Sequence, residues 1–104
     1  MKSKRSKATD ICQSVRDRVI ERDNGQCIVC GNVVRTGLAH YISRAKGGLG
    51  IEENLVILCQ DCHERYDHGT QELHKSYGDF IADYLSGLHP KFNDKGRVYN
   101  KYES

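Results

Sequence analysis

The chain has 104 residues, a net charge of +2 and 38% hydrophobic residues, and it contains no Trp. This length suits one small domain with tails, and no apolar run approaches the roughly 18–20 residues that cross a bilayer, which excludes a membrane-spanning protein. Because the expected core is thin, we expect a metal or disulfide bonds to support it.

The chain opens on a basic segment without an acidic side chain. We expect residues 1–8 to form a flexible arm. Such an arm either serves only to keep the chain in solution or contacts phosphates. In the second case, Lys4 and Arg5 are the candidate nucleic-acid contacts.

Apolar residues at helical spacing follow this arm and predict an amphipathic helix, with Ile11, Val15 and Val19 on one stripe. Thr9 or Asp10 can cap its start. Residues 24–25, Asn-Gly, should end it because both residue types tolerate positive φ. We interpret Cys12, which stands apart from the other cysteines, as an ordinary buried residue of this helix.

The middle of the chain predicts short extended pieces. Residues 33–42 favour two such pieces around a turn, and residues 46–50 form a glycine-rich loop. Residues 55–58 predict an apolar strand, and a helix should begin close to Cys62.

The last predicted helix runs from Gln71 to Leu88, is weakened by Gly78 and is closed by Pro90. We place a single domain at residues 9–90 and treat residues 91–104 as a polar tail. We expect Tyr77, Phe80 and Tyr84 to pack rather than to stack on bases. The residues on or near one face of the helix are Leu73, Tyr77, Phe80, Ile81, Tyr84, Leu85 and Leu88.

Four of the five cysteines form two Cys-x-x-Cys pairs, Cys27/Cys30 and Cys59/Cys62. Each pair offers two sulfurs from one tight turn at the roughly 2.3 Å that zinc requires, so four thiolates fit a closed, structural zinc site. The alternatives are two disulfides or four unrelated thiols. Because no apolar leader opens the chain, we expect a reduced, cytoplasmic protein.

The segment between the cysteine pairs, residues 31–58, is longer than the roughly 15–20 residues of the common paired-cysteine spacing. It contains His40, within AHYISRAKGG, and Asn54, within EENLVILC, and His63 follows in CQDCH. Together with the cysteine pairs, these residues resemble the His-Asn-His (HNH) endonucleases with a ββα-metal motif, phage and prophage type, over about residues 15–69.

The resemblance implies an α+β fold in which a four-cysteine zinc site staples a ββα-metal HNH core, with an N-terminal and a C-terminal helix. It implies that His40 is the general base for hydrolysis of DNA phosphodiester bonds, that Asn54 fixes the loop, and that His63 ligates one catalytic Mg²⁺ or Mn²⁺. DNA is the expected partner. A phage-encoded protein would act in the bacterial host cytoplasm, beside phage packaging or replication proteins.

Elementary chemistry suits these roles. An imidazole with a pKa near 6.5 can act as a base at neutral pH, and a divalent cation stabilises charge on a phosphate. Arg44 and Lys46 are candidate phosphate contacts if they are not ordinary solvated charges, and the backbone of residues 47–48 could follow a nucleic-acid strand.

One position departs from the family pattern, because Ala39 stands where many members carry Asp or His as a second metal ligand. Asp67, one helical turn after His63 on the same face, is our candidate replacement, with His68 as the alternative. If neither serves, we expect a weak nickase or a non-catalytic, zinc-stapled module that binds DNA or acts in a phage assembly.

Overall fold

The computed structural model describes residues 4–34 and 37–99, with side chains from residue 7 onward. The predicted nucleic-acid contacts of the Lys4 and Arg5 side chains lie outside the described residues. The end of the predicted polar tail, residues 100–104, also lies outside them.

Within these ranges, helices surround a two-stranded antiparallel sheet. The arrangement confirms the predicted α+β class and is compatible with a ββα-metal core. No helix of the described ranges combines the length and the apolar content needed to span a membrane. The helices are α1 (Lys4–Thr9), α2 (Gln13–Arg22), α3 (Gln60–His68) and α4 (Gln71–Leu88), and the strands are β1 (Leu38–His40) and β2 (Leu55–Ile57).

The N-terminal helical region is divided into two helices. α1 overlaps residues 4–8 of the segment predicted as a flexible arm, and α2 begins at Gln13 rather than near residues 9–10. Cys12 is the extended N-cap of α2 and is exposed, so its prediction as a buried helical residue is wrong. The helix ends at the predicted turn, where Asn24 and Gly25 both have positive φ.

Strand β2 is buried on both faces and separates two apolar clusters. It pairs with β1 so that Ala39 lies opposite Val56 and His40 opposite Leu55. Because side chains alternate along a strand, Leu55 and Ile57 pack toward α2, whereas Val56 and Ala39 pack toward α3 and α4. The small sheet is therefore the centre of three layers.

Helix α4 contributes Ile81 and Leu85 to the core, and both are fully buried. Phe80 is 47% exposed, so the prediction that it packs is wrong, and Leu73 and Leu88 at the two ends of the helix are also exposed. A two-stranded sheet is too narrow to cover every apolar residue of an 18-residue helix.

A buried carboxylate connects α2 to the rest of the fold. Asp23 is 6% exposed, and it accepts hydrogen bonds from the Ile57 N–H (3.1 Å) and from the Tyr84 hydroxyl. The Arg22 guanidinium donates to the same carboxylate (2.8 Å) and to the Leu55 carbonyl (2.6 Å). Burial, with the Asp23 charge, raises the pKa of Tyr84 to about 12, so this hydroxyl keeps its proton. Three elements thus meet at one side chain.

We expect Asp23→Ala to lower the free energy of unfolding by about 3–5 kcal/mol, since it leaves a buried N–H, a hydroxyl and a guanidinium without their acceptor. Urea denaturation at constant metal content measures this loss. The matched control is Asp79→Ala, because Asp79 pairs with Lys75 at an exposed surface and should contribute little. Equal effects of the two substitutions would contradict the structural role of Asp23.

Candidate functional site

The paired cysteines form one cluster, in which all four sulfurs lie within 4.8 Å of one another. All four are free thiols rather than disulfides. The sulfurs of Cys30 and Cys59 are 3.5 Å apart, close to the edge of about 3.8 Å in a tetrahedron with 2.3 Å metal–sulfur bonds. The donor set therefore fits a structural metal such as zinc. Among the described residues, no other group of three or more His, Cys, Asp or Glu side chains has such spacing.

Local turns present these sulfurs. Gly31 has a φ of 80°, and its N–H donates to the Cys27 carbonyl (2.9 Å), which closes the first turn. Cys59 is the N-cap of α3, and its sulfur accepts from the Cys62 N–H at 3.5 Å. The cluster therefore joins the turn that follows α2 to the first turn of α3.

The thiols differ in acidity. Burial disfavours the Cys27 thiolate, but backbone N–H groups of Cys30 and Cys59 outweigh it and lower the pKa of Cys27 to about 7. Burial, followed by the neighbouring thiols of Cys59 and Cys27, raises the pKa of Cys62 to about 12. A metal cation would stabilise four adjacent thiolates that otherwise repel one another.

A cleft of about 480 Å³ is lined by residues of β1, the loop after it, α3 and α2. It brings together His40, His63 and Asp67, the residues predicted as base and metal ligands. Arg44 of the loop and Arg16 of α2 line the same cleft. Residues of α2, of β1 with its loop, and of α3, which are distant in the sequence, thus face the same cleft.

His40 is half-buried at the end of β1, and its Nε2 lies 3.0 Å from the Thr9 carbonyl oxygen. A carbonyl can only accept, so Nε2 carries the proton and Nδ1 is the unprotonated nitrogen. Burial lowers the pKa of His40 below its usual value against the opposing effect of the Thr9 hydrogen bond, and the Arg44 charge lowers it further. The ring is therefore neutral at pH 7 and can accept a proton at Nδ1.

Asn54 is fully buried directly before β2. Its Oδ1 accepts from the Ile42 N–H (2.9 Å), and its Nδ2 donates to the carbonyls of Ile42 (3.1 Å) and Leu49 (2.9 Å). The Asn54 carbonyl also accepts from the Tyr41 N–H (2.8 Å). This one residue connects both ends of the loop that follows His40.

His63 and Asp67 lie one turn apart on α3, with His63 Nε2 2.8 Å from Asp67 Oδ2. Their side chains are 38% and 39% exposed, which leaves them accessible to an ion. Two neighbouring ligands about 2.1 Å from an octahedral ion are about 3.0 Å apart, so the pair would fit two positions of such a shell once an ion replaces the proton between Nε2 and Oδ2. Water and phosphate oxygens would have to complete it. His68 is exposed and lines a neighbouring depression together with His63 and Asp67, but it does not line the cleft with His40.

Ala39 lies on the opposite face of β1 from His40 and is 1% exposed. It packs in the apolar cluster with Cys62 and Tyr66. The position that carries a metal ligand in many HNH proteins is therefore part of the core in this chain.

The basic residues of the loop have different surroundings. Arg44 donates to the Asp10 carboxylate at 3.1 Å, and Lys46 is exposed in a neighbouring depression that also includes His40.

Residues 47–48 are buried, and a Cβ at position 48 would lie 1.6 Å from the Ile42 carbonyl oxygen. The glycines are needed for a tight turn, so the prediction that their backbone follows a nucleic-acid strand is wrong.

The C-terminal segment contributes to the site in a way that the sequence did not predict. Arg97 is 4% exposed, and its guanidinium donates to the Glu53 carbonyl (2.7 Å) and lies 5.8 Å from the centre of the Tyr41 ring. The Leu49 N–H donates to the Arg97 carbonyl (2.8 Å). This segment therefore supports the loop between His40 and Asn54. The only signal in the sequence for this packing is the presence of aromatic residues near Arg97, and this signal is weak.

Comparison with known protein families identifies residues 27–69, which match a family model described as HNH endonuclease. The matched segment contains both cysteine pairs as well as His40, Asn54 and His63. Comparisons with curated proteins and with solved structures found no match.

We expect one zinc ion per chain, and we expect Cys62→Ser or a strong chelator to remove it. The melting temperature should then fall by about 20 °C or more, because the binding free energy of a structural metal is folding free energy. Elemental analysis and thermal unfolding measure the two effects. Cys12→Ser removes an exposed thiol outside the cluster and is the matched control. A metal-free wild type with the same melting temperature would contradict this prediction.

Proposed function

We propose that this protein, in which residues 27–69 form an HNH endonuclease domain, is a metal-dependent endonuclease that hydrolyses DNA phosphodiester bonds. His40 is the general base, His63 and Asp67 bind one Mg²⁺ or Mn²⁺, and Asn54 fixes the loop. Packaging or replication proteins are further proposed partners if a phage encodes the chain.

One observation carries this proposal. A neutral imidazole with an unprotonated Nδ1 lines the same cleft as an adjacent imidazole–carboxylate pair. The base and the proposed metal ligands therefore have access to one substrate phosphate. This combination suits hydrolysis of a phosphodiester better than it suits a purely structural site.

Each of these residues has its own role in the proposed hydrolysis. His40 Nδ1 accepts the proton of the attacking water, while the Thr9 carbonyl holds the opposite side of the ring and fixes its tautomer. The Asn54 amide keeps the end of β1 and its loop in register. A bound divalent ion would supply Lewis-acid stabilisation of the phosphate and of the leaving 3′ oxygen.

A second candidate function is a non-catalytic DNA-binding or assembly module stapled by zinc. The burial of Ala39 favours it, because the chain then offers only two proposed protein ligands for the catalytic ion. Such a module would bind DNA and leave it intact with every divalent ion.

Supercoiled-plasmid nicking tests the enzyme directly. We expect cleavage with Mg²⁺ or Mn²⁺, none with EDTA, and a loss of about 10²–10⁴-fold in rate for His40→Ala, since it removes the general base. His68→Ala is the matched histidine variant, at an exposed position that borders His63 and Asp67 but lies outside the cleft with His40. It should keep the activity because Asp67, and not His68, is the proposed second ligand.

The zinc content and the circular dichroism of both variants should equal those of the wild type. An active His40→Ala protein would show that His40 is not the base. DNA binding without cleavage under every ion would instead support the second candidate function.

The pH dependence gives a separate test of His40. The base must be unprotonated to act, and burial lowers the pKa of His40. The value of kcat/KM should therefore stay constant as the pH decreases toward about 6.5 and should fall through a midpoint below that pH. Nicking rates from about pH 5 to pH 8 at saturating metal measure this midpoint. A midpoint above pH 7 would contradict the assignment of His40.

A further inference from the structure

Helix α2 carries three arginines with different surroundings. Arg18 pairs with Glu52 at 3.1 Å, and Arg22 is held by Asp23 and by backbone carbonyls. The side chain of Arg16 has no hydrogen bond or ion pair with any of the described residues, although it is partly buried. Arg16 is thus a partly buried cation without an anionic partner among the described residues.

Arg16 lines the cleft that contains His40, His63 and Asp67. The other charged groups of this cleft are engaged, since Asp67 contacts His63 and Arg44 contacts Asp10. A guanidinium is always charged, and one that is partly removed from water requires a nearby anion. Because the described acidic residues of the cleft have other partners, the place beside Arg16 is left for an anionic ligand.

The helix holds Arg16 in place. Val15 and Val19 anchor α2 on β2 with 8% and 0% exposure, and Arg22 fixes the end of the helix to the Leu55 carbonyl. Arg16 follows the buried Val15 directly, so the position of its backbone relative to the cleft is set by the core.

We propose that Arg16 binds a phosphate of the nucleic-acid backbone in this cleft, beside the phosphodiester that His40 attacks. This inference rests on the proposed function and adds to it a substrate-binding residue from outside the HNH segment at residues 27–69. The planar guanidinium can donate two parallel hydrogen bonds to phosphate oxygens, which an ammonium group cannot match.

The binding experiment uses the full chain with His40→Ala, so that cleavage does not interfere. Fluorescence anisotropy with a short labelled DNA duplex, at several salt concentrations, compares Arg16→Gln with Arg18→Gln. The two substitutions remove the same charge from the same helix. We expect Arg16→Gln to weaken binding about tenfold and to reduce the slope of log K against log salt by about 1. Arg18→Gln should change binding less than about twofold.

The cleavage experiment uses His40 intact. We expect Arg16→Gln to lower the nicking rate at least about tenfold, and Arg16→Lys to retain an intermediate rate because it keeps the charge but loses the planar fork. The melting temperature of Arg16→Gln should equal or exceed that of the wild type, since the substitution removes an unpaired cation. A residue needed only for folding would give a lower one.

The outcomes separate the two proposals. If the wild type cuts DNA and the Gln variants at positions 16 and 18 behave alike in binding and cleavage, the role of Arg16 is overturned and the nuclease stands. If the wild type binds DNA through Arg16 but never cuts it, the nuclease is overturned and the phosphate site stands. A wild type that neither binds nor cuts overturns both.

Discussion

The site depends first on the four-cysteine cluster. The cluster joins the turn after α2 to the N-cap and first turn of α3, two segments that are distant in sequence. Helix α3 then carries His63 immediately after its last cysteine and Asp67 one turn later. The position of the proposed metal ligands relative to β1 is therefore fixed by the same sulfurs that support a thin core. The structural metal would have a coordination shell completed by four sulfurs, whereas the catalytic metal would keep coordination positions open to substrate.

The segment that matches the HNH endonuclease model, residues 27–69, is only part of the unit that shapes the site. The Ala8 carbonyl accepts from the Gly50 N–H (3.0 Å), and the Thr9 carbonyl sets the tautomer of His40. On the other side, the N–H of Tyr99 donates to the Gly47 carbonyl (2.8 Å). Both flanking segments thus bond to the loop between the proposed base and Asn54. The geometry of the short matched segment therefore depends on flanking residues that lie outside it.

The predictions that succeeded rest on local signals. Cysteine spacing predicted the metal-binding cluster, and helical periodicity bounded by a closing Pro90 predicted α4. Much of what the sequence did not predict concerns contacts between distant segments. The exposure of Phe80 depends on the width of the sheet, and the burial of Arg97 depends on aromatic neighbours and on the Glu53 carbonyl. Neither can be read from the adjacent sequence, and a charged residue near a chain end is normally expected in solvent.

The burial of Ala39 has a consequence for how the proposed enzyme would bind its catalytic ion. A carboxylate at this position would have to be placed among apolar side chains, which is costly without a paired cation. With His63 and Asp67 as the proposed ligands, most of an octahedral shell remains for water and phosphate oxygens. Ion and nucleic acid would then bind cooperatively, because each supplies ligands or charge that the other lacks. An additional guanidinium in the cleft suits such a site, since it offsets phosphate charge before the ion arrives.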